Sequence, residues 1–166
     1  MGRPGPLSGA EDPESGVILR PATDQDAVHL LEWRNDPDSV RFSVTRRAVD
    51  PGEHERWLES RLEHPEAHLW IAEQAGIAVG QVRVDIEHGT GIVSIAVAPE
   101  HRGRGLSSLI LRAMVAEVGR SGAILRLRAR VDPENLASLR AFENAGFQTL
   151  VAREEGFAVL ERSIPG

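Results

Sequence analysis

"VSIAVAPEHRGRGLSSLILRAMVAEV", Val93 to Val118, joins an apolar, strand-like run to a helix-like run through a loop with two arginines and two glycines. In the second half, Leu106, Leu109, Ile110, Ala113 and Met114 recur at the spacing of one helix face. A helix N-terminus leaves four backbone N–H groups without intrahelical partners, and with the macrodipole they attract an anion. Gly103 and Gly105 tolerate positive φ and let the backbone come close to a ligand. Arg102 and Arg104 add charge, and Ser107 and Ser108 add hydroxyls in the first turn. The spacing suits a diphosphate better than a lone carboxylate. The plainer alternative is a turn followed by a helix start.

The surrounding composition makes this basic loop conspicuous. The 166-residue chain suggests one domain, carries a formal net charge of −6 and is 41% hydrophobic. An acidic chain of this kind argues against general nucleic-acid or anionic-membrane binding. Cysteine is absent, which excludes a disulfide framework, a cysteine nucleophile and thiolate metal sites. The six histidines show no H-E-x-x-H or paired spacing, so no metal is expected. No apolar run is long enough to span a membrane, and the start has no apolar signal core, which fits a cytoplasmic protein. Residues 1–15, rich in Pro, Gly, Ser and acidic residues, read as a disordered tail before a domain over 16–166.

From Val17 the pattern becomes regular. A short strand precedes Thr23, a candidate cap for a helix with Ala27, Leu30 and Leu31 on one face. Asp50, Pro51 and Glu53 mark the start of a second helix, on which Trp57, Leu58 and Leu62 share a face. Three strands follow, with turns at Ala75-Gly76 and over His88–Gly91. The glycine loop and a helix from about Gly103 to Val118 come next. "ILRLRARV" is a strand with Arg126, Arg128 and Arg130 on one side. A helix from Asp132-Pro133-Glu134 to Ala145 and a hairpin around Glu155-Gly156 complete the chain. The order β-α-α-β-β-β-α-β-α-β-β implies an α/β (α+β) domain. Its mixed, mostly antiparallel sheet of about seven strands is flanked by about four helices, with one parallel pair at the central βαβ unit.

The chain lacks the G-x-x-x-x-G-K-[ST] phosphate loop, and Gly103-Arg104-Gly105-Leu106-Ser107-Ser108 misses the third glycine of a dinucleotide fingerprint. "VAPEHRGRGLS" instead resembles the acyl-CoA pyrophosphate loop of the GNAT N-acetyltransferase superfamily, of the form [QR]-x-x-G-x-[GA], with Ser107 at the usual final Gly or Ala. "DPENLASLRAFENAGF" is similar to a second motif of that superfamily, N-x-x-S-x-x-x-[YF]-x-x-x-G-F, through Asn135, Ser138, Phe142, Gly146 and Phe147.

The resemblance implies acetyl-CoA as co-substrate, with no metal. It implies a diphosphate on Arg102, Gly103, Arg104, Gly105, Leu106 and Ser107, and a pantetheine arm hydrogen-bonded along Ile95, Ala96 and Val97. The strand that carries these three would splay from the strand over Leu125–Val131. Asn135 would meet the arm or its water, and Phe142 would lie along it. The Val97 N–H would steady the oxyanion when an amine attacks the thioester. Many relatives use a Tyr as general acid. This chain has no Tyr, and Phe142 stands at the matching position. A thiol pKa of about 8.5 makes the thiolate a tolerable leaving group, and losing an acid worth roughly 10²–10⁴-fold slows the step without forbidding it. Ser138 or a water on Asn135 could substitute. The base is open, with Asp85, Glu87, His88 and Glu100 nearby in sequence.

"LLEWRNDPDSVRFS" and "EHERWL" resemble acetyltransferases of nucleotide-linked amino sugars. The resemblance implies an acceptor wall of Trp33, Arg34, Asn35, His54, Trp57 and Asp85, with the rings stacking and the Arg34 fork on phosphate or carboxylate. The same rings could instead anchor the core. The acceptor implied is a small-molecule amine, with a protein N-terminal amine as a second class. A catalytically weak acyl-CoA-binding module is the competing non-enzyme reading. The protein would be a monomer or homodimer.

Overall fold

Apolar residues in the strands sit on both sides of the sheet, so helices must cover both faces. The computed structural model describes residues 16–165. The expected tail over 1–15 lies outside them.

The sheet has seven strands in the order β1-β2-β3-β4-β5-β7-β6. They are β1 (Val17–Pro21), β2 (Ala67–Gln74), β3 (Ile77–Glu87), β4 (Thr90–Val97), β5 (Arg126–Val131), β6 (Gln148–Glu154) and β7 (Phe157–Ser163). All neighbours are antiparallel except β4 and β5. The helices are α1 (Ala27–Asn35), α2 (Pro37–Phe42), α3 (Pro51–Glu63), α4 (Leu106–Ser121) and α5 (Leu136–Asn144).

Alternation along β2 shows how the two faces are covered. Trp70 and Ala72 join the main core with Ile110, Met114 and Val118 of α4. Leu69 and Ile71 point the other way, into a second core with Leu30 and Trp33 of α1 and Leu58 of α3. On β5, Leu127, Ala129 and Val131 are buried while Arg126 and Arg130 are exposed, as the alternation in the sequence implies.

Several boundaries differ from the sequence reading. The short α2 was not anticipated, although Asp36-Pro37 caps it in the manner of Asp50-Pro51 on α3. Thr23 caps a short 3₁₀ turn over Asp24–Asp26 ahead of α1. Helix α4 begins at Leu106, because Gly103 and Gly105 are both left-handed. Helix α5 begins after Asn135, which caps it. Leu62 is exposed, so the buried face of α3 runs through His54 and Leu58. The second turn is only His88-Gly89, and Gly91 lies inside β4.

Two strand glycines are demanded by space. A Cβ on Gly91 would meet Val84 Cγ1 at 2.7 Å, and one on Gly80 would meet the Ala96 carbonyl oxygen at 2.6 Å and Ile110 Cδ1 at 3.2 Å. At Gly80 the obstacle is the backbone of β4, which cannot rotate away. Gly80→Ala should lower the urea unfolding free energy by about 1–3 kcal/mol. A denaturation curve matching that of the parent would show that the strands part at no cost.

Candidate active site

The parallel contact between β4 and β5 covers only Thr90–Ile92 against Arg126–Arg128. Beyond it the two strands separate, while β4 stays paired with β3 as far as Val97. The Ala98 N–H donates to the Val79 carbonyl at 2.8 Å, on the β3 side. Backbone direction alternates along a strand, so the N–H and C=O groups of Val97 and Ile95 turn toward the opening, and those of Ala96 toward β3. The wedge therefore exposes an unpaired strand edge inside the sheet.

The glycine loop follows at the end of this edge. Gly103 and Gly105 have φ of 77° and 72°, with no atom within 4 Å of a built Cβ. Their requirement is conformational, and the space beside them is open. No side chain caps α4, so its first N–H groups point into that space with Leu106 buried behind them. Ser107 is half-buried in the first turn.

The loop arginines are engaged. Arg102 is paired with Asp36 at 2.7 Å and Asp38 at 3.5 Å, and donates to Ser39 Oγ at 3.3 Å. Burial alone would raise the Asp36 pKa. The Arg102 hydrogen bond, the Ser39 and Asp38 N–H groups and the Arg102 charge outweigh it and hold the carboxyl below 3.8. Arg104 donates to Gln74 Oε1 at 2.9 Å and lies 3.0 Å from His101 Nδ1.

The other side of the wedge is tied to the same segment. Arg46, with φ of 54°, pairs with the buried carboxylate of Asp132 at 2.7 Å, and Arg41 lies 3.7 Å from Glu134. The Glu134 N–H bond and the Arg46 bond and charge hold the Asp132 carboxyl low against burial. Residues 36–46 thus bridge the glycine loop and the β5–α5 loop. Neither Asp36 nor Asp132 was read from the sequence as an ion-pair partner, because Arg102 and Arg46 are far away along the chain.

The expected acceptor residues divide. Trp33 is 4% exposed in the second core, so it is an anchor and not a stacking platform. Asn35 spends its amide on the Val49 backbone, donating to the carbonyl at 2.8 Å and accepting from the N–H at 2.7 Å. His54 is buried against Trp57, and burial and then the Arg34 charge lower its pKa. Trp57 is half-buried, with the Arg83 guanidinium 5.1 Å from its ring centroid. Asp85 is bound by Arg61 at 3.1 Å and Arg83 at 2.9 Å, which occupies it as a base. Arg34 donates to Thr45 Oγ1 at 3.1 Å, while its Nη1 is buried without a partner.

Of the residues expected along the cofactor arm, Phe142 is 2% exposed and packs edge-on against Phe147 at 5.0 Å. Its ring belongs to the main core and offers no face to a ligand. Asn135 Oδ1 accepts the Ser138 N–H at 3.3 Å, which places both residues at the start of α5. Glu87, at the end of β3, His88, in the turn after it, and Glu100, in a 3₁₀ turn, are all exposed. Among the described residues no group of three or more His, Asp or Glu could hold a metal ion, and no helix is long and apolar enough to cross a membrane.

Residues 17–148 match the acetyltransferase (GNAT) domain family. The chain belongs to the GNAT acetyltransferase family. An aminoglycoside N(6')-acetyltransferase type 1 of Klebsiella pneumoniae is 26% identical over 161 residues, covering 86% of this chain and 80% of that protein. An uncharacterised protein of Methanocaldococcus jannaschii is 29% identical over 143 residues, 81% of this GNAT chain, which spans only 28% of that protein's length. Among solved structures, an aminoglycoside 6'-acetyltransferase in complex with paromomycin and acetyl-CoA has a TM-score of 0.78 at 22% identity, over 90% of this chain and 94% of that one. A ribosomal-protein alpha-N-acetyltransferase in complex with coenzyme A has a TM-score of 0.77 at 16% identity, over 90% and 95%.

The bridge across the wedge should be pH-sensitive. Asp36 and Asp132 titrate lower when folded than unfolded, so their contribution is complete above the ordinary carboxylate pKa and is lost as pH falls through the folded values. Asp36→Asn/Asp132→Asn should therefore be less stable than the parent at pH 7, with the gap closing as pH falls below about 4. Urea midpoints across pH check this, and a constant gap would mean that the two carboxylates do not titrate with folding.

Proposed function

We propose that this GNAT domain transfers an acetyl group from acetyl-CoA to a primary amine. The observation that carries the reading is the pairing of a one-sided strand edge at Ile95–Val97 with an uncapped helix N-terminus at Gly103–Ser107. The chain's groups fit that co-substrate. The edge supplies hydrogen bonds for an extended amide-bearing arm, and the loop supplies N–H groups and two guanidiniums for a diphosphate. Acetyl-CoA would supply an activated thioester. The Val97 N–H, turned into the wedge, would receive the negative charge that develops on the carbonyl oxygen as an amine attacks. Ser138 and Asn135, on the opposite bank, would hold the water or hydroxyl that returns a proton to the leaving sulfur. The amine would give its proton to water, since Asp85 is committed to two arginines.

For the acceptor, an amino sugar on a nucleotide carrier is the finer reading, supported by Arg34 and the half-exposed Trp57 near the wedge. A protein N-terminal amine is the second reading, supported by the similarity in fold to a ribosomal-protein acetyltransferase.

Thiol release from acetyl-CoA over a panel of primary amines, with mass spectrometry of the products, tests the reaction. Amine-dependent release with an acetylated product is expected. Tight CoA binding with no release for any amine would make the domain an acyl-CoA-binding module.

Arg102→Ala/Arg104→Ala should weaken CoA binding by about 1–3 kcal/mol in calorimetry. Unchanged affinity would take the diphosphate away from this loop.

A further inference from the structure

Arg34 is the misfit of the acceptor wall. Its Nη1 is shielded from solvent with no hydrogen-bond partner, and Nη2 has only a neutral contact with the hydroxyl of the exposed Thr45. No carboxylate lies in ion-pair contact with it among the described residues. Its charged surroundings include Arg47, Arg83 and Glu53. The Glu53 carboxylate is already bound by Arg47 at 3.2 Å, and Asp85 is shared by Arg83 and Arg61. Four guanidiniums therefore meet two carboxylates around α3, with the Arg47–Glu53 pair at the surface and Arg83–Asp85 on the sheet below. A guanidinium does not escape by losing its proton. Burial and the neighbouring cations disfavour its charged form all the same, and the Arg83 charge is likewise disfavoured by burial. Such an arrangement stores an unmet demand for negative charge.

A second unmet group faces the same way. Gln81 Oε1 is buried without a donor. Gln81 sits opposite Ala96 and two residues along β3 from Arg83, so both side chains lie on the sheet face covered by α1 and α3. Ala96 adjoins Val97, whose N–H turns into the wedge. The face thus presents an acceptor for an ammonium or amine N–H close to the edge where acetyl transfer is proposed, and excess positive charge further under the helices.

We propose that the acceptor carries an anionic group, carboxylate or phosphate, which replaces Thr45 on Arg34 and is shared with Arg83, while Gln81 takes up an N–H of the reacting amine. This rests on the acetyl-transfer reading for its substrate but not on the sugar. It makes Arg34 a specificity-determining residue. It also turns the site away from polycationic aminoglycosides, whose ammonium groups the arginines repel.

The test compares matched amines in the wild-type chain: glycine with glycinamide, and glucosamine 1-phosphate with glucosamine, rates being taken per free amine, with kanamycin as the polycation. The expected result is a kcat/KM about tenfold higher for the anionic member of at least one pair, with kanamycin poorest. The carboxylate and phosphate arms distinguish the two sources of charge. Arg34→Gln should abolish the preference, through a kcat/KM about tenfold lower for the anionic member. Arg34→Met is a second variant should the first fold poorly. Equal use of both members of each pair, kanamycin as the best substrate, or a preference that survives in a folded Arg34 variant would each overturn the assignment.

A binding measurement separates this claim from the reaction. With CoA saturating, inorganic phosphate at fixed ionic strength should raise the Tm of the wild-type chain and not that of Arg34→Gln. In the absence of phosphate that variant should melt close to the parent, because it removes a half-buried guanidinium whose Nη1 has no partner and whose Nη2 bonds only the exposed Thr45. A phosphate response lost with Arg34 upholds the anion site even if no amine is acetylated. No response in the wild type overturns it even if acetylation is rapid.

Discussion

A single strand edge governs this molecule. β4 is paired along its whole length with β3, and on its other side for only three residues with β5. Backbone N–H and C=O groups in a sheet interior ordinarily find partners, so an unpaired edge in the middle of a sheet is a demand for a ligand with strand-like hydrogen bonding. The surrounding packing maintains that demand. β5 is held by six residue pairs to β7 and cannot follow β4. β4 is pinned from below by β3 and α4. The opening results from two well-formed halves that diverge, with no loose segment required.

The charges follow from the same geometry. Splaying brings the glycine loop and the β5–α5 loop to opposite sides of one mouth, and residues 36–46 lie across both through Arg102–Asp36 and Arg46–Asp132. Arg128, on the same sheet face, is neutralised across strands by Glu154 and Glu161. Beneath α1 and α3, Arg83 has a carboxylate partner and Arg34 has none among the described residues. The exposed pairs among these contribute little stability. Their effect here is to fix which guanidiniums are occupied and which is left wanting.

Much of this was legible in the sequence, for identifiable reasons. Gly103 and Gly105 are local: a left-handed backbone ahead of a helical repeat needs no distant partner to be recognised. The order of elements along the chain, the single parallel pair and the splaying followed from the element sequence and the family likeness. What stayed hidden depended on neighbours far along the chain. Trp33 reads equally as platform or anchor until the second core is known to close over it. Phe142 fits a motif position whose usual occupant reaches the cofactor, yet without a hydroxyl it turns edge-on to Phe147. Asn35 offered an amide for an acceptor, and the Val49 backbone claimed both ends of it. Only α2 was missed despite a local signal, since Asp36-Pro37 repeats the Asp50-Pro51 start.

Gly80 gives this dependence on packing a longer reach. It lies in neither the glycine-loop motif nor the Asn135–Phe147 motif, and it touches no proposed ligand. Yet its missing side chain lets β3 sit flush beneath the carbonyl of Ala96 and the tip of Ile110, so it sets the height of the strand on which Val97 rides. A lineage could keep every glycine and arginine of the loop and still lose the reaction through drift at this one position. Among relatives of this chain, an intact signature motif and a competent enzyme are therefore separable properties.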